Sequence, residues 1–215
     1  MSINRRQFIT SSAAAGTGLF LSSLKTFAKP IMQPSQAGYS LLIFATNWGF
    51  SGSTDEFCSK AKAEGCDGIE VWWPGNNIER TALFEALKKY NLKVGFLCGS
   101  GEKDFVKHEK EFQQAVTEAA KAKPVYINCH SGKDYFTVDQ KEKLISHTLS
   151  VSAQSEVPIY HETHRGRALY SAPVTAELMK KIPNLKLTLD ISHWCNVHES
   201  YLGDQEETVS LALER

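Results

Sequence analysis

The sequence lacks an excess of charge of either sign. Lysine and arginine together number 24, and aspartate and glutamate also number 24, so the formal net charge is zero. Proteins that bind nucleic acids or anionic membranes through electrostatic attraction carry a clear positive excess. We therefore expect no nucleic-acid partner, and no membrane partner once an export signal has been removed.

Cysteine is also scarce, and its spacing follows no known framework. The five cysteines are an odd number, and no Cys-x-x-Cys pair occurs among them. A disulfide scaffold needs paired cysteines, and a thiolate zinc site needs closely spaced pairs. The sequence therefore predicts neither a disulfide framework nor a thiolate metal site.

The N-terminal residues have the composition of an export signal. Arg5 and Arg6 precede a short apolar stretch, and the small residues around Ala28 resemble a cleavage site. The apolar stretch is too short to span a bilayer, and the arginine pair is typical of twin-arginine signals. An uncleaved anchor is the alternative. We predict a twin-arginine signal peptide at residues 1–28, a linker at 29–38, a barrel domain at 39–215, and a periplasmic or otherwise exported location.

Short apolar runs alternate with amphipathic stretches along the rest of the chain. Runs in which nearly every residue is apolar are typical of parallel strands that are buried on both faces. Apolar residues three to four positions apart indicate helices. The predicted strands are residues 39–45, 68–73, 92–97, 125–129, 158–160 and 185–191, and the predicted helices are 54–64, 77–90, 103–122, 138–155 and 173–181.

Six strands with helices between them fit either a doubly wound sheet or a (β/α)8 barrel. A doubly wound sheet usually has a glycine-rich turn after its first strand, and residues 46–52 lack that spacing. Polar residues instead follow one strand after another, as they do at the mouth of a barrel. We predict an α/β fold of the (β/α)8 TIM-barrel type, truncated after about six βα units, because a complete barrel needs about 250 residues. We expect the sequence to be a fragment of a longer protein, and an incomplete barrel is the alternative.

Two carboxylates follow neighbouring predicted strands. Glu162 comes at the end of the fifth strand and Asp190 at the end of the sixth. A carboxylate after a buried apolar run is costly unless it is paired or binds a metal, and neighbouring strands lie about 4.8 Å apart. We predict that Glu162 and Asp190 bind one divalent cation and that His193 reaches the same cleft. The alternative is that both carboxylates cap helices or pair with Arg165 and Arg167.

Other histidines are interpreted without a catalytic role. The segment around Glu162 reads His-Glu-x-His after a strand, whereas zinc proteases carry His-Glu-x-x-His on a helix. Because side chains alternate along a strand, His161 should point away from Glu162. His108 and His147 fall on predicted helices, and we expect both to be exposed to solvent.

Four segments together resemble a known family. Gly68-Ile69-Glu70, Asn128-Cys129-His130-Ser131-Gly132, the Glu162 segment and Asp190-x-x-His193 are similar to the xylose isomerase-like sugar isomerase and epimerase barrels. That family also includes DNA repair enzymes of the endonuclease IV type. The resemblance spans all six predicted βα units.

The resemblance implies roles for several residues. Glu162 and Asp190 would be metal ligands, and His193 would contact substrate oxygens or a metal. Glu70 and His130 would lie in the substrate pocket. Two further ligands, a histidine and a glutamate, would follow a seventh and an eighth strand outside this sequence. We therefore expect the chain as given to bind metal weakly or not at all.

The implied chemistry is proton transfer next to a sugar carbonyl. A divalent ion (Mn²⁺, Mg²⁺, Co²⁺ or Zn²⁺) would polarise the carbonyl. Glu162 would serve as a ligand and a base, and His193 would stabilise the developing enediolate oxygen. The predicted catalytic residues are Glu162 and His193, and the predicted substrate contacts are Glu70, His130, His193, Trp48 and Arg167.

We therefore predict a metal-dependent isomerase or epimerase that acts on a small sugar or sugar derivative. A catalytically inactive or carbohydrate-binding relative is the first alternative. A metal-dependent phosphodiesterase of the endonuclease IV type is the second, and the neutral charge and the export signal disfavour it. The sequence leaves open which sugar is bound, which metal is used, and whether the chain forms a homo-oligomer.

Overall fold

The computed structural model describes residues 41–214, so the predicted signal peptide and linker lie outside the described residues. Six strands form one parallel sheet in the order β1-β2-β3-β4-β5-β6, and helices connect successive strands. The strands are β1 (Phe44–Thr46), β2 (Gly68–Trp72), β3 (Lys93–Gly99), β4 (Tyr126–His130), β5 (Ile159–Glu162) and β6 (Leu187–Thr188). The helices are α1 (Thr54–Ala63), α2 (Asn77–Tyr90), α3 (Phe105–Lys121), α4 (Val138–Ser155), α5 (Ala172–Lys181), α6 (Ile191–His198) and α7 (Glu206–Leu213).

The strand order decides between the two predicted architectures. In a doubly wound sheet the order of the strands reverses at a switch point, so some strands that are neighbours in the sheet are not consecutive in sequence. Here every strand pairs in parallel with the next one along the chain, from the β1–β2 pair to the β5–β6 pair. The prediction of a truncated TIM barrel is therefore confirmed: the sheet is a half-barrel with its helices on the outer face.

Polar caps define where the helices begin. Ser53 and Thr137 each accept a hydrogen bond from the backbone three residues later, and Glu56 and Gln140 complete capping boxes with them. Such caps satisfy amide groups that have no partner within the helix. The helix predicted at residues 77–90 is confirmed at both ends, and it begins after an Asn76 cap.

The two faces of the sheet have different compositions. Ile69, Phe96 and Ile127 point to the outer face and are completely buried against the helices. Phe112 of α3 and Leu144 of α4 belong to the same apolar cluster. The alternate strand positions point inward, and on β4 and β5 they include the polar side chains of Asn128, His130 and Glu162.

Three sequence predictions are corrected by the structure. The sixth strand is only Leu187–Thr188 and not residues 185–191, because Asp190 caps helix α6 and ends the extended segment. His108 is fully buried rather than exposed, since its ring packs against Phe136 and its Nδ1 lies 3.0 Å from the carbonyl oxygen of Glu102. His147 is half-buried, and its Nε2 lies 3.2 Å from the hydroxyl of Thr117.

All five cysteines are free thiols in the structure. Burial in the apolar core raises the pKa of the Cys58 thiol to about 11.

Among the helices of residues 41–214, none has both the length and the hydropathy needed to cross a bilayer.

Candidate functional site

Glu162 lies at the carboxyl end of β5 and faces the inner side of the sheet. Its Oε2 accepts a hydrogen bond from Asn128 Nδ2 at 2.7 Å and one from His130 Nε2 at 2.9 Å. Both donors come from inward positions of the neighbouring strand β4. This arrangement fixes the orientation of the carboxylate and leaves Oε1 available for another partner.

Two histidines, His164 and His193, lie close to the carboxylate of Glu162. One ligand atom each from Glu162, His164 and His193 lie within 4.8 Å of one another, a separation that a single metal ion can bridge. His164 Nδ1 lies 2.6 Å from the carbonyl oxygen of Arg165. Because a carbonyl can only accept a hydrogen bond, Nδ1 carries the proton and the lone pair of Nε2 remains free for a ligand.

His193 and Asp190 form the next pair along the chain. His193 Nε2 lies 3.7 Å from Asp190 Oδ2. The other carboxylate oxygen, Oδ1, accepts hydrogen bonds from the backbone N–H and the hydroxyl of Ser192 at 2.9 and 2.6 Å. His193 Nδ1 is buried, and no hydrogen-bond partner is found for it among the described residues.

The rings of His130, His164 and His193 lie in contact one after the other, tilted by 39° at each contact. The ring centroids of His130 and His164 are 4.7 Å apart, and those of His164 and His193 are 3.8 Å apart. Protonating all three would place like charges in contact, which is unfavourable. Burial lowers the pKa of His164, and the neighbouring His130 and His193 lower it further, against the effect of the Arg165 carbonyl. A neutral imidazole is the form that binds metal.

The two carboxylates remain ionised. Burial raises the pKa of Glu162, but the hydrogen bonds from His130 and Asn128 outweigh it, and the net pKa lies below the ordinary value. At Asp190 the hydrogen bonds from Ser192 outweigh partial burial in the same way, so its pKa is also lowered. Both groups are therefore anionic at neutral pH and able to act as ligands.

The structure does not bring all the predicted residues together. His130, His193 and Arg167 lie around Glu162, but the carboxylate of Glu70 accepts a hydrogen bond from the hydroxyl of Tyr126 at 2.7 Å, two inward positions of β4 before His130. Trp48 is 64% exposed after β1. The carboxylate of Asp190 lies beside His193 and outside the three-residue cluster.

Two residues of the site were missed by sequence reasoning. The alternation of side chains places His164 on the same side as Glu162, since the two are two positions apart, and it places Asn128 on the same side as His130. That period-two signal was available for both residues.

An aromatic-lined cavity lies beside this polar cluster. It has a volume of about 350 Å³ and is formed at the ends of β1 and β2, with Phe50, Phe57 and Trp73 among its lining residues. Trp72 lines the same cavity and packs edge-on against His130, with ring centroids 4.9 Å apart. The cavity and the ligand cluster are therefore adjacent, although neither Glu162 nor His193 lines the cavity.

The chain matches one family of known proteins over most of the described residues. The family described as the xylose isomerase-like TIM barrel matches residues 58–213. No curated protein matches the chain.

Two solved structures share the fold. The probable 3-DHS dehydratase AsbF, involved in petrobactin synthesis in Bacillus anthracis, is 21% identical with a TM-score of 0.50, over 71% of this chain and 64% of that one. The 3-keto-D-glucoside 4-epimerase YcjR from E. coli is 16% identical with a TM-score of 0.55, over 79% of this chain and 76% of that one. This chain thus spans less than two thirds of the length of the first of them.

Proposed function

The chain belongs to the xylose isomerase-like TIM barrel family, and from that premise we propose that it is a divalent-metal-dependent isomerase or epimerase of a sugar or sugar derivative. The cluster of Glu162, His164 and His193 at the carboxyl ends of the strands carries the proposal. This is the edge at which TIM barrels place their active sites. A fold neighbour that is a sugar epimerase, YcjR, is consistent with it.

The donor set fits a metal ion. The cluster offers one ionised carboxylate and two imidazoles, and the free lone pair of His164 and the unpartnered Nδ1 of His193 are both open to a ligand. Two imidazoles with one carboxylate suit Zn²⁺, Co²⁺ or Mn²⁺ better than Mg²⁺, which prefers oxygen ligands. We infer that Glu162, His164 and His193 would hold the ion and that Asp190 would orient His193 or serve as a fourth ligand. When bound, the ion would supply Lewis-acid polarisation of a carbonyl and its neighbouring hydroxyl.

The residues around the cluster have separate tasks in this proposal. Asn128 and His130 hold the Glu162 carboxylate in place through two hydrogen bonds to Oε2. The lowered pKa of Glu162 suits its carboxylate to act as a metal ligand and makes it a weak base. His193 would bind the ion through Nδ1, and Asp190, 3.7 Å from Nε2, would orient its ring.

The test is metal binding by the full chain and solvent exchange at a sugar carbon. Two ligands that the resemblance implies lie outside this sequence, but Glu162, His164 and His193 supply three within it. We therefore expect the wild-type protein to bind Co²⁺ with a visible absorption band and to catalyse metal-dependent incorporation of deuterium from D₂O next to the carbonyl of ketoses, neutral or acidic. Glu162→Gln should lose both properties. Glu118→Gln, which removes a carboxylate paired with Arg80 at 2.8 Å on the outer helices, should keep both. Equal Co²⁺ binding by wild type and Glu162→Gln would refute the proposed ligand set.

A further inference from the structure

Two positively charged side chains meet at one oxygen atom beside the candidate site. Lys133 Nζ lies 3.5 Å from the carbonyl oxygen of Ser100, and Arg167 Nη1 donates a hydrogen bond to the same oxygen at 3.1 Å. Ser100 follows β3, Lys133 follows β4 and Arg167 follows β5. Three consecutive loops therefore bring these groups together at the carboxyl edge of the sheet.

Each cation is positioned by a glycine that precedes it. Gly132 has a φ of +59° and Gly166 has a φ of +73°, a backbone region that side chains other than glycine rarely adopt. A Cβ on Gly132 would also lie 3.3 Å from Leu144 and 3.4 Å from Ala168. The backbone N–H of Ala168 donates to the carbonyl oxygen of Ser131 at 2.8 Å, which ties the two loops to each other.

The two cations have no carboxylate partner. Among residues 41–214, neither Lys133 nor Arg167 forms an ion pair. The nearby acidic groups are held by other hydrogen bonds: Glu111 accepts from the Ser100 hydroxyl, Asp134 from the backbone of Tyr135, and Glu162 from β4.

Holding two such cations together without an anion is unfavourable. Both side chains are half-buried. Burial lowers the pKa of Lys133, and the neighbouring Arg167 and Lys103 lower it further, against the effects of Asp134 and Glu111. Burial also lowers the pKa of Arg167, against the attraction of Glu162. A bound anion would relieve this repulsion, and arginine in particular matches the geometry of carboxylates and phosphates.

We propose that Lys133 and Arg167 form a binding site for an anionic oxygen group, a carboxylate or a phosphate, so that the molecule bound here is an acidic sugar derivative and not a neutral sugar. The assignment of this anion to the substrate rests on the proposed function, because Arg167 lies on the same turn as His164 and only five residues after Glu162. Its backbone N–H donates to the carbonyl oxygen of His164 at 3.1 Å.

The test compares three ligands on the full chain without added metal: D-glucose, D-glucuronate and D-glucose 6-phosphate. We expect calorimetry to detect binding of one or both anionic sugars at concentrations where D-glucose does not bind. The binding should weaken as ionic strength rises. Tighter binding of the uronate would indicate a carboxylate site, and tighter binding of the phosphate ester a phosphate site. Equal affinity for all three ligands, or no binding of either anionic sugar, would overturn the proposal.

Variants separate the proposed site from general charge effects. Lys133→Gln and Arg167→Gln should each weaken binding of the preferred anion about tenfold or more. Arg167→Lys should restore part of that affinity because it keeps the charge, and Lys62→Gln, at an exposed position on α1, should bind like wild type. Unchanged affinity in both glutamine variants, with circular dichroism showing that they are folded, would refute the site.

The outcome is also distinguishable from that of the proposed function. Loss of anion preference in Arg167→Gln with normal Co²⁺ binding would support the anion site whether or not deuterium exchange is found. Conversely, Co²⁺ binding and exchange with neutral ketoses alone would support the metal enzyme and overturn the anion site.

Discussion

Protonation of His161 should destabilise the protein as the pH falls below neutral. His161 lies on the outer face of β5, 1% exposed, between the hydroxyls of Ser131 and Thr148. The Thr148 hydroxyl donates to the carbonyl oxygen of Ile145 at 2.7 Å, so it must accept from His161 Nε2 at 2.8 Å. Nδ1 is then unprotonated, and it accepts a hydrogen bond from the Ser131 hydroxyl at 2.6 Å. The neutral ring is fully satisfied in this arrangement.

The size of the effect follows from the change in pKa. Burial lowers the pKa of His161 from 6.5 to about 4. Below pH 6.5 the unfolded chain therefore binds a proton that the folded chain excludes, and the stability falls until the pH reaches about 4. The difference corresponds to about 3 kcal/mol at its limit and about 2 kcal/mol at pH 5. That is a large part of the roughly 5–15 kcal/mol that stabilises a typical domain.

The assay is denaturant unfolding of the full chain between pH 7 and pH 4.5, with His161→Gln as the comparison. Glutamine keeps one donor and one acceptor but does not titrate, so the variant should be less stable than wild type at pH 7 and should lose less stability on acidification. Carboxylates such as Glu162 titrate in both proteins and cancel in the comparison. Parallel pH profiles for the two proteins between pH 7 and pH 5 would refute the reasoning.

Two further predictions concern the core and the support of the site. Phe112→Ala should lower the free energy of unfolding by about 3–5 kcal/mol, since the ring is completely buried between α3 and the sheet; a loss below about 1 kcal/mol in denaturant unfolding would contradict this packing. Asn128→Ala removes the 2.7 Å hydrogen bond to Glu162 and should weaken Co²⁺ binding about tenfold in a spectroscopic titration, whereas unchanged affinity would show that this hydrogen bond does not orient the ligand.

Much of the fold could be predicted because the outer face of the sheet is buried against the helices. Continuous apolar runs such as the one around Phe96 indicated strands, and apolar residues three to four positions apart indicated helices. The predicted bounds of the sixth strand were wrong because apolar content alone cannot show that Asp190 accepts a hydrogen bond from the Ser192 N–H and caps a helix there. The predicted exposure of His108 was wrong because a position on a helix gives no information about neighbours distant in sequence, such as Phe136.

The candidate site was less predictable than the fold because it depends on distances between loops. The sequence indicated Glu162, Asp190 and His193 as neighbours, and the structure adds His164 and Asn128 to the immediate surroundings of Glu162. The sequence offers Lys133 and Arg167 as loop cations able to contact a carboxylate or a phosphate, but their meeting at the Ser100 carbonyl could not be predicted. It depends on two left-handed glycines in separate loops, and a sequence does not show which turn conformation a glycine adopts.

The alternation of side chains along β5 separates folding from chemistry at adjacent positions. His161 points outward and is buried, which lowers its pKa and keeps its imidazole neutral. Glu162 points inward to hydrogen-bond donors that keep its carboxylate ionised. Changes at the outer position should therefore appear mainly as lost stability, and changes at the inner position mainly as lost ligand binding. The same division applies to β4, where Cys129 is buried in the core and its neighbours Asn128 and His130 hold the carboxylate.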